Sequence, residues 1–187
     1  KLFRRGEQRV DTALVQVSPP DSHGNCSLGI SVEATRAAVE MAGKVIAQVN
    51  PNMPRVLGRS FIHVNDVDHI VEHEEELLTI NPMPELETAN TIAKHISRLI
   101  DDGATLQTSL GVTNEATMVC LAEKNDIGIH SQYLTDSIMR LFSLGVVTNK
   151  RKGFNEGKLV AGSAVGSNLL YEFCDDNPSI EQVGTYG

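Results

Sequence analysis

"TALVQVSPPDSHGNCSLGISVEATRAAVEMAGKVIAQV", residues 12–49, decides the fold class of this chain. Its first six residues, "TALVQV", form a strand run with a Val- and Leu-rich core. "SPPDSHGNCSLG" (18–29) carries Pro-Pro, Asp and two Gly and reads as a loop. "SVEATRAAVEMA" (31–42) reads as a helix. Ser31 is the expected cap, and Ala34, Ala37, Ala38, Met41 and Ala42 fall at i, i+3, i+4, i+7 and i+8. "KVIAQV" (44–49) is a second buried strand. A strand, a long loop, a helix and a second strand in that order predict a parallel sheet covered by helices.

The same alternation extends outward. "NPNMPRVLG" (50–58) is irregular, because its prolines remove amide donors, and "SFIHV" (60–64) is a third strand. The stretch 65–85, "NDVDHIVEHEEELLTINPMPE", is acidic and Pro-punctuated and reads as a connector between two lobes. Beyond it a helix is expected over 86–100, with Ala89, Ala93, Ile96 and Ile100 on one face. There follow a strand at 104–111, a helix at 114–124 with Asn114 as cap, and a strand "IGIH" (127–130). Thr135 caps a helix whose Ile138, Leu141 and Phe142 face inward and which Gly145 stops. "KLVAGSAV" is a further strand, "SNLLYEFCDD" a helix and "SIEQVGTY" a last strand. No close internal repeat is visible.

Composition narrows the function classes. The chain has 187 residues, 41% hydrophobic and 21% charged, enough for one sizeable core or two small ones. Sixteen basic residues against twenty-four acidic ones give a net charge of -8. A nucleic-acid binder needs a basic face to neutralise phosphates. The one dense basic cluster, Lys150-Arg151-Lys152, reads as a solvated loop. Cys26, Cys120 and Cys174 are odd in number and widely spaced, which fits a reducing compartment better than a disulfide framework or a zinc knuckle. No apolar run approaches the roughly 18 residues of a membrane span. The first residues lack the apolar core of a signal peptide and an initiator Met. The last read as a strand cut off in mid-sheet, so a piece of a longer protein is expected.

Several stretches carry candidate chemistry. His69 and His73 are four apart beside Glu72, and on a helix would share a face able to hold zinc. The H-E-x-x-H order and a third ligand are missing, so a solvated connector is the plainer reading and no metal is expected. His63 and His130 each end a strand, where a hydrogen-bonded structural role is the commoner one. Ser18, Asp21, His23 and Ser27 suggest a hydrolase triad, but no G-x-S-x-G accompanies them. "LQTSLGVTNEAT" (106–117) is a strand-turn-helix unit whose helix start offers free N–H groups to an anion or an oxyanion. It lacks the Lys of a P-loop and the G-x-G-x-x-G of a dinucleotide fold. If its strand neighbours that of "IGIH" in a parallel sheet, this turn and the polar pair Ser131-Gln132 lie side by side, the usual location of a ligand crevice.

These blocks, taken in order, resemble the acetyl-CoA hydrolase/transferase family, which includes 4-hydroxybutyrate and acetate CoA-transferases. "DTALVQVSPPDSHGNCSLGIS" is similar to the family's S-P-P-D-x-x-G-x-x-S-x-G, "NPNMPRVLG" to N-x-x-M-P-x-x-x-G, and "GIHSQYLTD" to G-I-H-T-E-M-x-S-D. "LIDDGATLQ", "GVVTNKRK" and "LLYEFCDDNP" follow in the expected order. The resemblance implies two related open α/β domains (CoA-transferase/NagB-like) with mostly parallel sheets, both incomplete here. Residues 1–80 would be the later part of the first domain with the connector, and 81–187 the early part of the second.

The resemblance further implies coenzyme A or an acyl-CoA as substrate, a short carboxylic acid as acceptor, no metal, a cytoplasmic location, and no nucleic-acid or membrane partner. It leaves room for a homo-oligomer. The family's glutamate attacks the acyl-CoA thioester to give an acyl-glutamyl anhydride. The released thiolate then attacks the glutamyl carbonyl to give an enzyme-CoA thioester, and an acid takes the CoA by the reverse route. That glutamate falls on Gln132. The CoA loop falls on Ser109, Leu110, Gly111, Val112 and Thr113, with Ser109 where the family's first Gly stands and Asn114 where Pro is frequent. Ser18, Pro20 and Asp21 carry the first-domain substrate loop. An amide is uncharged, and its nitrogen lone pair is delocalised, so Gln132 is not expected to form the anhydride. Glu115 and Glu123 are poor substitutes on a helix expected to face away from, or lie below, the crevice. Three readings follow: a CoA-transferase, an acyl-CoA hydrolase in which Gln132 orients water, or a homologue that binds acyl-CoA without turnover. An isolated change at 132 in an otherwise active enzyme is a further possibility, which the accompanying Ser109 and Asn114 departures disfavour.

Overall fold

The computed structural model describes residues 2–80 and 84–184, and the chain divides into two compact units, 1–78 with 174–187, and 79–173. Together they are α/β with mostly parallel, open sheets.

In the first unit, β1 (Ala13–Val17) and β3 (Val45–Val49) pair in parallel with Ala13 opposite Val45 and Val17 opposite Val49. The helix between them, α1 (Thr35–Met41), makes the crossover. On β1 the alternation is strict: Ala13, Val15 and Val17 are buried, while Leu14 faces out. Val45, Ala47 and Val49 of β3 join them, with Leu28, Val32, Val39 and Ile62, in one core. Ser31 does not cap α1. The helix begins four residues later, behind Ala34, with no side-chain cap, and it buries Ala37 and Val39 rather than the Ala37/Met41 stripe. Met41 is exposed.

The loop 18–29 contains a short strand, β2 (Asn25–Ser27), that pairs antiparallel with β4 (Phe61–His63). Thus 60–64 is a strand as expected but lies outside the parallel sheet. The parallel sheet's third strand is β5 (His69–Glu72), on the far side of β3, drawn from the stretch expected to be a connector. Asn50 secures the segment that follows, its side chain donating to Glu75 O at 2.8 Å and accepting from Glu75 N–H at 3.2 Å. Residues 174–184 rejoin this unit. Within β9 (Ile180–Gln182), Gln182 bridges Gly58, accepting from the Arg59 N–H and donating to Leu57 O.

In the second unit, α2 (Glu87–Arg98) buries Ala89 and Ala93. Strands β6 (Thr105–Leu106), β7 (Gly128–Leu134) and β8 (Leu159–Ala164) lie in that order, all parallel. All of β8 is buried, as a continuous apolar run in a covered parallel sheet should be. The expected 104–111 strand is reduced to two residues, because the chain turns away at Gln107 to build the loop described below. The crossovers are α3 (Val112–Cys120) and α4 (Asp136–Ser143), and α5 (Asn168–Cys174) follows β8. Gly145 ends α4 as expected. With φ +76° it lets its own N–H reach Phe142 O and that of Val146 reach Leu141 O, satisfying two orphan carbonyls. Thr135 holds the N-cap position, but its hydroxyl meets Ser137 Oγ at 2.9 Å rather than a helix N–H.

Candidate functional site

Strand β7 runs past His130 through Ser131 and Gln132 to Leu134, so the polar pair sits inside the strand rather than after it. Alternation turns Ser131 inward and Gln132 outward. Ser131 Oγ accepts from the Thr108 N–H at 3.1 Å and donates to Thr108 O at 2.7 Å. A side chain therefore continues the ladder where β6 has ended, and the loop 107–111 lies directly beside the polar pair. This meets the condition on which the sequence argument for a crevice rested: β6 and β7 are parallel neighbours, with Leu106 opposite Ile129. Gln132 is exposed, and its Nε2 donates to Tyr133 Oη at 3.2 Å.

The loop then enters α3. Gly111 holds the N-cap position at φ +145°, ψ +151°, a conformation that side-chain-bearing residues rarely adopt. Asn114 is not the cap; it stands in the helix's first turn. Leu110 and Val112 line a cleft of about 410 Å³ at the carboxyl ends of β7 and β8, together with Thr135, Asp136, Val165 and Ser167. Glu115, expected to face away from the crevice, lines this cleft too. Gln132 is not among its lining residues.

Asp136, at the start of α4, was not singled out in the sequence, yet it anchors the cleft floor. Its carboxylate accepts from the Ser167 N–H at 3.0 Å and from the Ser167 hydroxyl. A Cβ on Gly166 would come within 2.1 Å of the same carboxylate, so the β8–α5 turn approaches it as closely as a glycine allows. An acidic residue directly after a capping Thr was the available signal.

In the first unit, the stretch 18–27 forms no triad. Ser18 and Ser27 are buried and engaged: Ser18 Oγ accepts from Ser27 N–H at 2.8 Å, and Ser27 Oγ accepts from the N–H groups of Gly29 and Val56. Pro20 is exposed at the bend. Asp21 folds the loop over itself, one oxygen accepting from both the Asn25 and His23 N–H groups at 2.9 Å. The Asn25 N–H, against a smaller opposing effect of burial and with help from His23 and Arg55, holds the Asp21 carboxyl down at about 2. Arg55 reaches Asp21 at 3.5 Å and Asp176 at 2.5 Å, and lies 5.0 Å from the centroid of the Phe61 ring.

The remaining candidates resolve plainly. His69 lies on a strand and His73 just after one, so no helical face brings them together, and the described residues contain no group able to hold a metal. His63 is structural: its Nδ1 accepts from Asn65 N–H at 3.1 Å and its Nε2 meets His23 O at 2.9 Å. His130 stacks on Phe154, with ring centroids 6.4 Å apart. The basic cluster is only partly solvated. Lys150 and Arg151 are exposed, but Lys152 is 3% exposed, its Nζ enclosed by backbone carbonyls. Charge-run reasoning missed this because it ignores the apolar Val146-Val147 pair that carries the segment into the core. Among the described residues no helix is long and apolar enough to cross a membrane.

Parallel strands whose carboxyl ends carry a glycine-turned loop and a cleft define the class: an open α/β protein with a crevice beyond the strand ends, where such folds bind ligands. Comparison with known proteins narrows the class. Residues 2–82 match the acetyl-CoA hydrolase/transferase N-terminal domain family. Over 180 residues, 96% of the chain, it is 44% identical to a 4-hydroxybutyrate coenzyme A transferase of Clostridium kluyveri and covers 42% of it. It is 36% identical to a succinyl-CoA:acetate/propanoyl-CoA:succinate CoA transferase of Fasciola hepatica, covering 96% of this chain and 38% of that one. The crystal structure of a 4-hydroxybutyrate CoA-transferase from Porphyromonas gingivalis superposes with a TM-score of 0.94 at 37% identity, over 98% of this chain and 47% of that one. Residues 2–82 thus belong to the acetyl-CoA hydrolase/transferase family, and the chain is similar to CoA-transferases over nearly its whole length. It spans less than half the length of these relatives.

Proposed function

We propose that the protein containing this chain is of CoA-transferase type, handling CoA between an acyl-CoA thioester and a short carboxylic acid such as acetate or 4-hydroxybutyrate. Residues 1–80 and 81–187 are then parts of two related open α/β domains, in the cytoplasm. The observation that carries this reading is the double hydrogen bond between Ser131 and Thr108. It joins the strand bearing Gln132 to the loop Ser109-Leu110-Gly111-Val112-Thr113, the stretch that resembles the family's CoA loop. The Gly111 conformation supports the same assignment, since it leaves backbone free to approach a ligand. Ser18, Pro20 and Asp21 form the substrate loop of the first domain.

Gln132 decides what the site does with its ligand. An amide donates to and accepts from a thioester but supplies no ionised oxygen, so covalent exchange through an anhydride is closed to it. Its presence favours a second reading, an acyl-CoA-binding homologue with impaired turnover, with water-mediated hydrolysis as the residual activity. The full-length protein is incubated with acetyl-CoA and a short carboxylic acid, then trapped with hydroxylamine or borohydride. With Gln132 we expect saturable CoA binding and no trapped adduct. Gln132→Glu is expected to raise CoA exchange by several orders of magnitude, the usual consequence of supplying a missing covalent nucleophile. A trapped adduct at residue 132 of the unaltered protein would overturn the role given to the amide. Absence of CoA binding in both proteins would overturn the family-type function.

A further inference from the structure

Ile129 lies three residues before Gln132, and both polar groups of its backbone are satisfied by side chains. Its N–H donates to Asn149 Oδ1 at 2.8 Å, and its C=O accepts from Lys152 Nζ at 2.8 Å. On this edge of β7 the ladder with β8 starts only at His130, opposite Val160. Before that point the segment 147–152 supplies the partners. Val147 bridges Ile127, and the N–H groups of Thr148 and Asn149 both donate to Ile127 O. Asn149 is fully buried and takes the left-handed conformation at φ 58°, which turns its amide toward the strand. Lys152, 3% exposed, spans the gap, because its Nζ also donates to Lys158 O at 2.8 Å, one residue before β8. A lysine is almost never buried so deeply unless its amine is engaged. Here it joins the strand bearing Gln132 to the entry of the next one.

The contacts continue to the ligand loop. Ser131 stands two residues after Ile129 on β7 and holds both backbone groups of Thr108, next to Ser109. We propose that Lys152 and Asn149 are positioning residues for the site. They bond Ile129 just before the ladder with β8 starts, hold β7 there, and through Ser131 set the geometry of the 108–111 loop relative to Gln132. The link from Lys152 to Thr108 is a statement about this unit alone. Its consequence for CoA chemistry rests on the function proposed above.

The test uses the full-length protein and its Lys152→Met and Asn149→Ala variants, followed by amide hydrogen exchange and by CoA exchange in the Gln132→Glu background. Lys152→Met keeps the length of the stem and removes the amine. The expected result is faster exchange at the Thr108 amide with the α2 amides unchanged. In the Gln132→Glu background, kcat is expected to fall by about a hundredfold with KM for acyl-CoA little changed, the size of effect a displaced site can produce. Asn149→Ala should act in the same direction, which keeps the test valid if one variant fails to fold. Unchanged exchange at Thr108, or a uniform rise across the whole unit, would overturn the positioning link. A loosened Thr108 with an unaltered kcat would overturn the role in catalysis. Absence of turnover in Gln132→Glu with Lys152 and Asn149 intact would count against the proposed function instead, and the Thr108 measurement would still decide the link.

Discussion

At the scale of single residues, the loop 18–27 shows how a motif that looks chemical can be used for folding. Its serines spend their hydroxyls on backbone, and Asp21 ties the bend by accepting from two N–H groups. A carboxyl held at about 2 in the folded chain titrates near 3.9 when unfolded. The folded state therefore gains from the ionised form above the unfolded value, and that gain disappears as pH falls through about 2. Asp21→Asn should remove this part of the acid dependence while leaving the rest, which urea unfolding between pH 5 and 2 would measure. A carboxyl resonance of Asp21 titrating near 4 in the folded protein would contradict it. This aspartate was legible in sequence as a loop residue beside Pro-Pro. Its backbone partners His23 and Asn25 are local, but the loop shape that presents them was not legible, because the antiparallel pairing of β2 with β4 depends on residues some forty positions away.

At the scale of elements, local signals succeeded where the chain alone sets the geometry. Gly145 stops α4 because two successive N–H groups turn back on carbonyls that the helix leaves open. Gly145→Ala meets no atom within 4 Å, so its cost should be the left-handed conformation alone, about 1 kcal/mol. Thermal unfolding would measure it, and a loss several times larger would point to a packing role instead. Caps assigned from residue type fared worse. Ser31 and Asn114 were displaced by Ala34 and Gly111. A cap needs the right backbone conformation as well as the right side chain, and at 111 only glycine reaches it comfortably. Part of the expected connector is a strand, missed for a different reason. "HIVE" at 69–72 is exposed throughout, so no burial alternation marked it, yet its backbone completes the sheet beside β3.

At the scale of the whole chain, burial sorts the three thiols. Cys26 and Cys174 are buried in the described structure, while Cys120 is partly accessible. Burial, with Asp175 adding to it, pushes the Cys174 thiol up to about 12, and burial also raises Cys26. A thiol-specific reagent at pH 8 should therefore modify Cys120 in the native protein and reach Cys26 and Cys174 only on unfolding. Mass mapping before and after denaturant would check this, and rapid native labelling of Cys174 would refute the burial argument.

The alternation of strands and helices, the parallel pairing at 12–49 and the polar pair beside a turn were present in the order of residue types. Hydrophobic period and turn chemistry are local quantities, and they located most elements, whereas the caps of α1 and α3 needed a backbone conformation that residue type did not show. What the tertiary structure alone decided are the contacts between distant segments: Ser131 on Thr108, Asp136 on Ser167, Lys152 on Ile129, and Gln182 on Leu57 and Arg59. Each is a buried or half-buried polar group finding its partner from another part of the chain. Burial makes such a group seek a partner, but only the packed sheet selects which one.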